Sequence, residues 1–260
     1  MLRAMCEQFV ARAQEPFRLD VLWPLVERLE RFGVAGFGWG VTWMAADGRL
    51  RTHRDTRAFQ DDPGRDEVGR HESASILVHL RRPSKLSTLQ LADTQPFVDP
   101  EGRFAFSHNG ELDRWREARA AFRAQSRIVG RADSEVAQRW LEDAWSADDR
   151  RDGGGVEDEV PPLLAELHGR FGGVANLAVL GADGSAWHYA GNRENPVFTF
   201  RIGAIGLVST GIYSVDRSLF RFVAPGATHR GVARLHHTIA LDERGRPTRI
   251  RSNRPAGARA

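Results

Sequence analysis

Apolar residues recur at helical spacing early in the chain. Leu22, Leu25, Val26, Leu29 and Phe32 predict an amphipathic helix over residues 20–32, with Asp20 as its N-cap. The next segment, Gly33 to Met44, sets aromatic and β-branched residues among glycines and predicts a strand with a close backbone approach. Trp39 and Trp43 share one face of it. Asp47-Gly48 predicts a hairpin into a strand over Arg49 to His53. Residues 60–72 are charged, contain Pro63-Gly64, and read as a surface loop. The apolar run Ser75 to His79 predicts a buried strand, and Arg103 to Ser107 alternates like another. Between them Arg82 to Thr94 is irregular. Helices are predicted over residues 111–124 and 133–145, the second starting at Asp133, with residues 146–159 as a loop. A helix over 161–170 would carry its prolines in the first turn. Strands are expected over 174–180, 186–190, 197–201 and 205–209, with Asp183-Gly184 as a second hairpin turn. A helix over 214–222 and a strand over 233–241 finish the pattern. The strands come in hairpins rather than βαβ units, so the sheets should be largely antiparallel, in an α+β fold.

Composition narrows the class. With 41% hydrophobic and 27% charged residues among 260, the chain suits a soluble globular domain with a sizeable core. The pI of 9.7 accompanies a net charge of only +3, and Lys85 is the sole lysine, so the basicity is arginine. No basic run is interleaved with aromatics, which argues against nucleic acid. No stretch reaches the roughly 18 apolar residues of a membrane span, and no secretory signal is readable. The expected location is the cytoplasm. Residues 251–260 read as a flexible basic tail.

Cys6 is the only cysteine. It cannot form an intramolecular disulfide, and it lacks the partners of a cysteine metal site. It is therefore a packed thiol or a nucleophile. Met5 precedes it directly. If the chain matures to begin at Cys6, one residue carries a thiol of ordinary pKa about 8.5 and an α-amine of about 7.7–8.0 that can take its proton. Residues 1–5 then read as a prefix, removed or lying before a start at Met5.

Further along stand Gly38-Trp39-Gly40, His79-Leu80-Arg81, Gln95-Pro96-Phe97, His108-Asn109-Gly110 and Asp133-Ser134-Glu135. In this order and spacing, behind Met5-Cys6, they resemble the class II glutamine amidotransferases of the N-terminal-nucleophile hydrolase superfamily. The likeness covers Met5 to about residue 230 and is strongest to the type without an attached synthase domain. It implies a four-layer αββα sandwich spanning residues 6–250. It also implies that Cys6 is the nucleophile and that Asn109 (side-chain amide) and Gly110 (backbone N–H) form an oxyanion hole. Arg81 would hold the α-carboxylate of glutamine and Asp133 its α-ammonium, while Trp39, Gly40 and His108 would lie by the substrate. A guanidinium offers a carboxylate a planar fork, and amide donors suit the charge on a carboxamide oxygen. Taken singly, Arg81 could be an ion-pairing arginine, Asp133 a helix cap and Asn109-Gly110 a tight turn. His79 and His108 read as hydrogen-bonding residues rather than bases. Gln95 stands where the family often has histidine.

The implied reaction is hydrolysis of the side-chain amide of glutamine, or of a γ-glutamyl compound, through a thioester, without metal or organic cofactor. Ammonia would pass to a separate synthase subunit or be released. The alternatives are a related hydrolase of another amide, or a non-catalytic regulatory or binding domain should Cys6 stay blocked.

Overall fold

A computed structural model describes residues 6–33, 35–83, 86–148, 156–212 and 217–250. The prefix 1–5, the tail 251–260 and part of the expected 146–159 loop lie outside them. Two antiparallel sheets stack face to face, with helices on both outer faces.

The first sheet is built on β1 (Glu7–Arg18), which runs between β4 (Glu72–Leu80) and β10 (Ile205–Ser209). β2 (Trp39–Met44) and β3 (Leu50–Asp55) extend it on one side. On the other lie β9 (Phe198–Ile202) and β11 (Thr228–Val232). The second sheet runs in the order β13 (Pro247–Ile250), β12 (Thr238–Leu241), β8 (Ala186–Gly191), β7 (Val174–Gly181), β6 (Phe104–Glu111) and β5 (Phe97–Val98). Outside the first sheet pack α1 (Trp23–Gly33), α2 (Arg65–Gly69) and α6 (Arg217–Val223). Outside the second pack α3 (Arg116–Ala124), α4 (Asp133–Asp148) and α5 (Val156–Phe171).

Three apolar clusters fill the three spaces between four layers. One joins Leu25, Val26 and Leu29 of α1 to Phe9, Val41 and Val78. Another joins Val136 and Leu141 of α4 and Leu164 of α5 to Phe106, Leu177 and Val179. The third, of Val10, Leu77, Ala178, Leu180 and Val208, lies between the sheets. Alternate residues of one strand serve two clusters: Phe9 faces the helices and Val10 the opposite sheet. Each large side chain so buried is worth about 1.5–3 kcal/mol.

Several local expectations are corrected. Asp20 lies in a 3₁₀ turn, Leu19–Leu22, and pairs with Arg18 rather than capping α1. Residues 60–72 are not a plain loop, because Phe59 anchors a 3₁₀ turn in the core and α2 follows. The Asn109-Gly110 pair is no turn: β6 continues to Glu111, with Asn109 opposite Asn176 and Gly110 opposite Ala175. Pro161 and Pro162 lie inside α5, which begins a turn earlier than expected. The single strand expected over 233–241 is β12, preceded by a separate edge strand, β11.

Candidate functional site

Cys6 immediately precedes β1, at the rim of a cleft of about 120 Å³ between the ends of the two sheets. The main-chain N–H of Arg82 donates to Cys6 Sγ at 3.2 Å. Burial pushes the thiol up to about 11; the Arg82 N–H and the charge of Arg81 oppose this, and Glu7 and Asp133 add to it. With an ordinary amide at its own nitrogen, this thiol is therefore protonated at neutral pH.

Arg81 follows β4 directly and lines the cleft, 5% exposed. Its guanidinium donates to the carbonyls of Thr88 and Gln90, which are neutral acceptors. The ion-pair reading of Arg81 finds no carboxylate salt bridge among the described residues, so its charge can meet that of a ligand. Desolvation lowers its pKa from the usual value.

Asp133 opens α4 and lines the same cleft. Its Oδ2 accepts from the Leu112 N–H at 2.7 Å and its Oδ1 from the Ser134 N–H at 2.9 Å. It thus ties the end of β6 to the helix start. The loop before it is held by Asp93, whose Oδ1 accepts from the Arg131 and Ala132 N–H groups at 2.6 and 2.7 Å. Glu135 accepts from the Val129 and Gly130 N–H groups at 2.8 and 2.7 Å.

Asn109 is fully buried beside Cys6. Its Nδ2 donates to the Cys6 carbonyl and, at 3.3 Å, to Thr210 Oγ1. The Thr210 hydroxyl is a fully used node: it accepts from the Gln8 N–H at 3.0 Å and donates to Glu7 Oε2 at 2.7 Å. Its longer approach to the Gln8 carbonyl, 3.3 Å, is the weaker rival for that one proton. With its proton on Glu7 and one lone pair on the Gln8 N–H, the hydroxyl keeps its second lone pair for Asn109. Gly110 lines the cleft with φ +149°, and a Cβ there would sit 1.8 Å from the Val174 carbonyl oxygen, so only glycine fits.

His108 forms part of the cleft wall, its Nδ1 3.0 Å from Ser134 Oγ, and burial lowers its pKa. Gln95 uses its amide as a strand would: Oε1 accepts from the His108 N–H at 2.6 Å and Nε2 donates to the His108 carbonyl at 3.1 Å. Gln95 also lines the cleft. Trp39 does not reach the cleft. Its indole sits in the outer core against Trp23 and Phe59 and donates to Asp62 at 3.0 Å. Gly40 is also away from the cleft wall; a Cβ there would come 2.4 Å from the Gln95 carbonyl oxygen, so the close approach is to that segment. Neither residue lines the cleft. His79 bonds Ser107 at 2.7 Å between the sheets.

The chain reading passed over Glu7, Arg82, Asp93 and Thr210. Only Ser209-Thr210-Gly211, a polar triplet closing an apolar strand, carried a readable signal. Two larger hollows, of about 550 and 540 Å³, hold none of the cleft residues. Among the described residues His53, Asp55 and Asp62 bring metal-type donors together, but Asp62 already accepts from His53, Trp39, Arg57 and the Gly64 N–H.

The sequence profile of the class II glutamine amidotransferases matches residues 5–200. The chain belongs to this family. No curated protein matches it by sequence. Among solved structures, glutamine phosphoribosylpyrophosphate amidotransferase from B. subtilis, complexed with ADP and GMP, aligns with TM-score 0.70 at 16% identity. It covers 95% of this chain and 49% of that one. A structure described as the allosteric regulatory enzyme of purine biosynthesis gives 0.70 at 14%, with the same coverage. A class II domain protein from Silicibacter pomeroyi gives 0.59 at 16%, covering 95% of this chain and 99% of that one. The chain therefore spans about half the length of the first two. At these identities the likeness establishes the fold, the four-layer N-terminal-nucleophile sandwich. Its described helices include none long and apolar enough to cross a membrane.

Proposed function

We propose that this amidotransferase hydrolyses the side-chain amide of glutamine, or of a γ-glutamyl amide, with Cys6 as nucleophile once it is the N-terminal residue. The observation that carries the reading is the lining of one small cleft by Cys6, Arg81 and Asp133, the family's motif residues. A cleft of about 120 Å³ suits an amino-acid head and no macromolecule. Arg81, held only by carbonyls, receives the α-carboxylate in a bidentate pair. Asp133 receives the α-ammonium.

The freed α-amine of Cys6 takes the thiol proton, and its positive charge opposes the burial that otherwise holds the thiol near 11. Sulfur attacks the amide carbon, and the oxyanion is met by the Gly110 N–H and by Asn109 Nδ2, which gives up its bond to the Cys6 carbonyl and keeps the one to Thr210. Collapse expels ammonia, or an amine, which takes the proton back from the α-ammonium. Water then cleaves the γ-glutamyl thioester, giving glutamate and restoring the thiol. Neither a metal nor an organic cofactor is required by these steps. Ammonia passes to a separate synthase subunit or is released, and the lone reduced thiol suits the cytoplasm.

Intact-mass analysis of protein from its native host, paired with glutamine hydrolysis, tests this. Active preparations should begin at Cys6, lose activity in Cys6→Ala, and be labelled there alone by a γ-glutamyl diazoketone. Full activity in chains that retain residues 1–5 would overturn the N-terminal mechanism, whereas chains that retain residues 1–5 and hydrolyse nothing would leave the non-catalytic binding reading.

A further inference from the structure

Beside the cleft lies another hollow, of about 480 Å³, whose charged lining is Arg119, Arg123 and Arg131, completed by Ile128 to Gly130. No carboxylate lines it. Arg119 and Arg123 stand four residues apart on α3, a spacing that stacks like charges on one helix face and is unfavourable without a counter-ion. Their neighbour Arg127 is different, being paired with Glu142 and Asp143. Among the described residues Arg119, Arg123 and Arg131 make no salt bridge. Arg119 is held in place: its Nη2 donates to the Gly130 carbonyl at 2.6 Å and its guanidinium lies 5.6 Å from the Trp115 ring centre. Its Nη1 is buried with no partner. A guanidinium fixed in the wall of the hollow, beside two others that make no salt bridge, is the chemistry of an oxyanion receptor.

We propose that this cavity binds a phosphate-bearing small molecule, the three guanidinium groups holding the phosphate. Phosphate offers several charged oxygens to diverging forks, which one carboxylate does not. Arg131 also lines the glutamine cleft, two residues before Asp133, so the two cavities share a wall. The site does not depend on Cys6 or on the amide chemistry.

Calorimetric titration of the whole chain with inorganic pyrophosphate at low salt tests it, with tricarballylate as the carboxylate arm. Pyrophosphate should bind one to one and weaken as salt rises. Arg123→Gln, an exposed change that spares the fold, and Arg119→Gln should each weaken it by about tenfold or more. Cys6→Ala and Arg81→Ala should bind as the parent does. Four outcomes would overturn the site: no binding, equal binding of tricarballylate, indifference to Arg123→Gln, or loss in Arg81→Ala with retention in Arg123→Gln. The last would put the anion in the cleft.

Discussion

Acidification should destabilise this protein well above the pH at which carboxylates titrate. His79 and His188 are fully buried between the sheets, and burial lowers both to about 3. In the unfolded chain each returns to about 6.5. Between those values the unfolded state binds a proton that the folded state refuses. Stability therefore rises with pH across that window and is lost as pH falls below the unfolded value. At one pKa unit per 1.36 kcal/mol, lowering the pH from 8 to 5 costs about 2 kcal/mol per ring, about 4 together. That is a large share of the roughly 5–15 kcal/mol of a typical domain. His108 and His168 are also lowered by burial and steepen the slope, while Glu30, raised by burial, opposes it. Urea denaturation at pH 8, 6.5 and 5 measures the slope. His188→Gln should flatten it by the share of one ring. A midpoint unchanged between pH 8 and 5 would refute the reasoning, since it would mean that these rings accept protons in the folded state.

Other expectations concern the cleft. Arg81→Lys should cut kcat/KM for glutamine about 10–100-fold, because an ammonium cannot offer the fork; steady-state kinetics read it. Asp133→Asn keeps one acceptor, which can serve the Leu112 N–H, and loses the one for the Ser134 N–H, so melting should fall by only a few degrees while glutamine turnover collapses; unchanged kinetics would reduce Asp133 to a structural tie. Thr210→Val frees Asn109 from its node and should lower kcat about 10–100-fold with KM nearly unchanged, while Thr210→Ser restores it. Gly110→Ala drives a methyl into the Val174 carbonyl at a backbone angle that side chains avoid, and should cost about 2–5 kcal/mol by chemical denaturation.

Local pattern determined much of this protein. Hairpin dipeptides placed the Asp47-Gly48 and Asp183-Gly184 turns, and apolar runs placed β4, β7 and β10, because turn chemistry and burial on both faces act within a few residues. The motif order behind Cys6 pointed to the family, since nucleophile, fork and amide donors are residue types a short string can carry. Whether Trp39 faces ligand or core could not be read: which face of β2 meets α1 depends on β1 and β4 pairing beside it, both from elsewhere in the chain. Asn109-Gly110 looked like a turn for the same reason. Only β7, more than sixty residues on, supplies the partner that keeps the pair extended. The Glu7–Thr210–Asn109 node joins residues about a hundred and two hundred positions apart. Its hydrogen bonds exist because folding brings the start of β1, the end of β6 and the end of β10 to one edge of the sandwich, where polar groups cut off from water pair with one another.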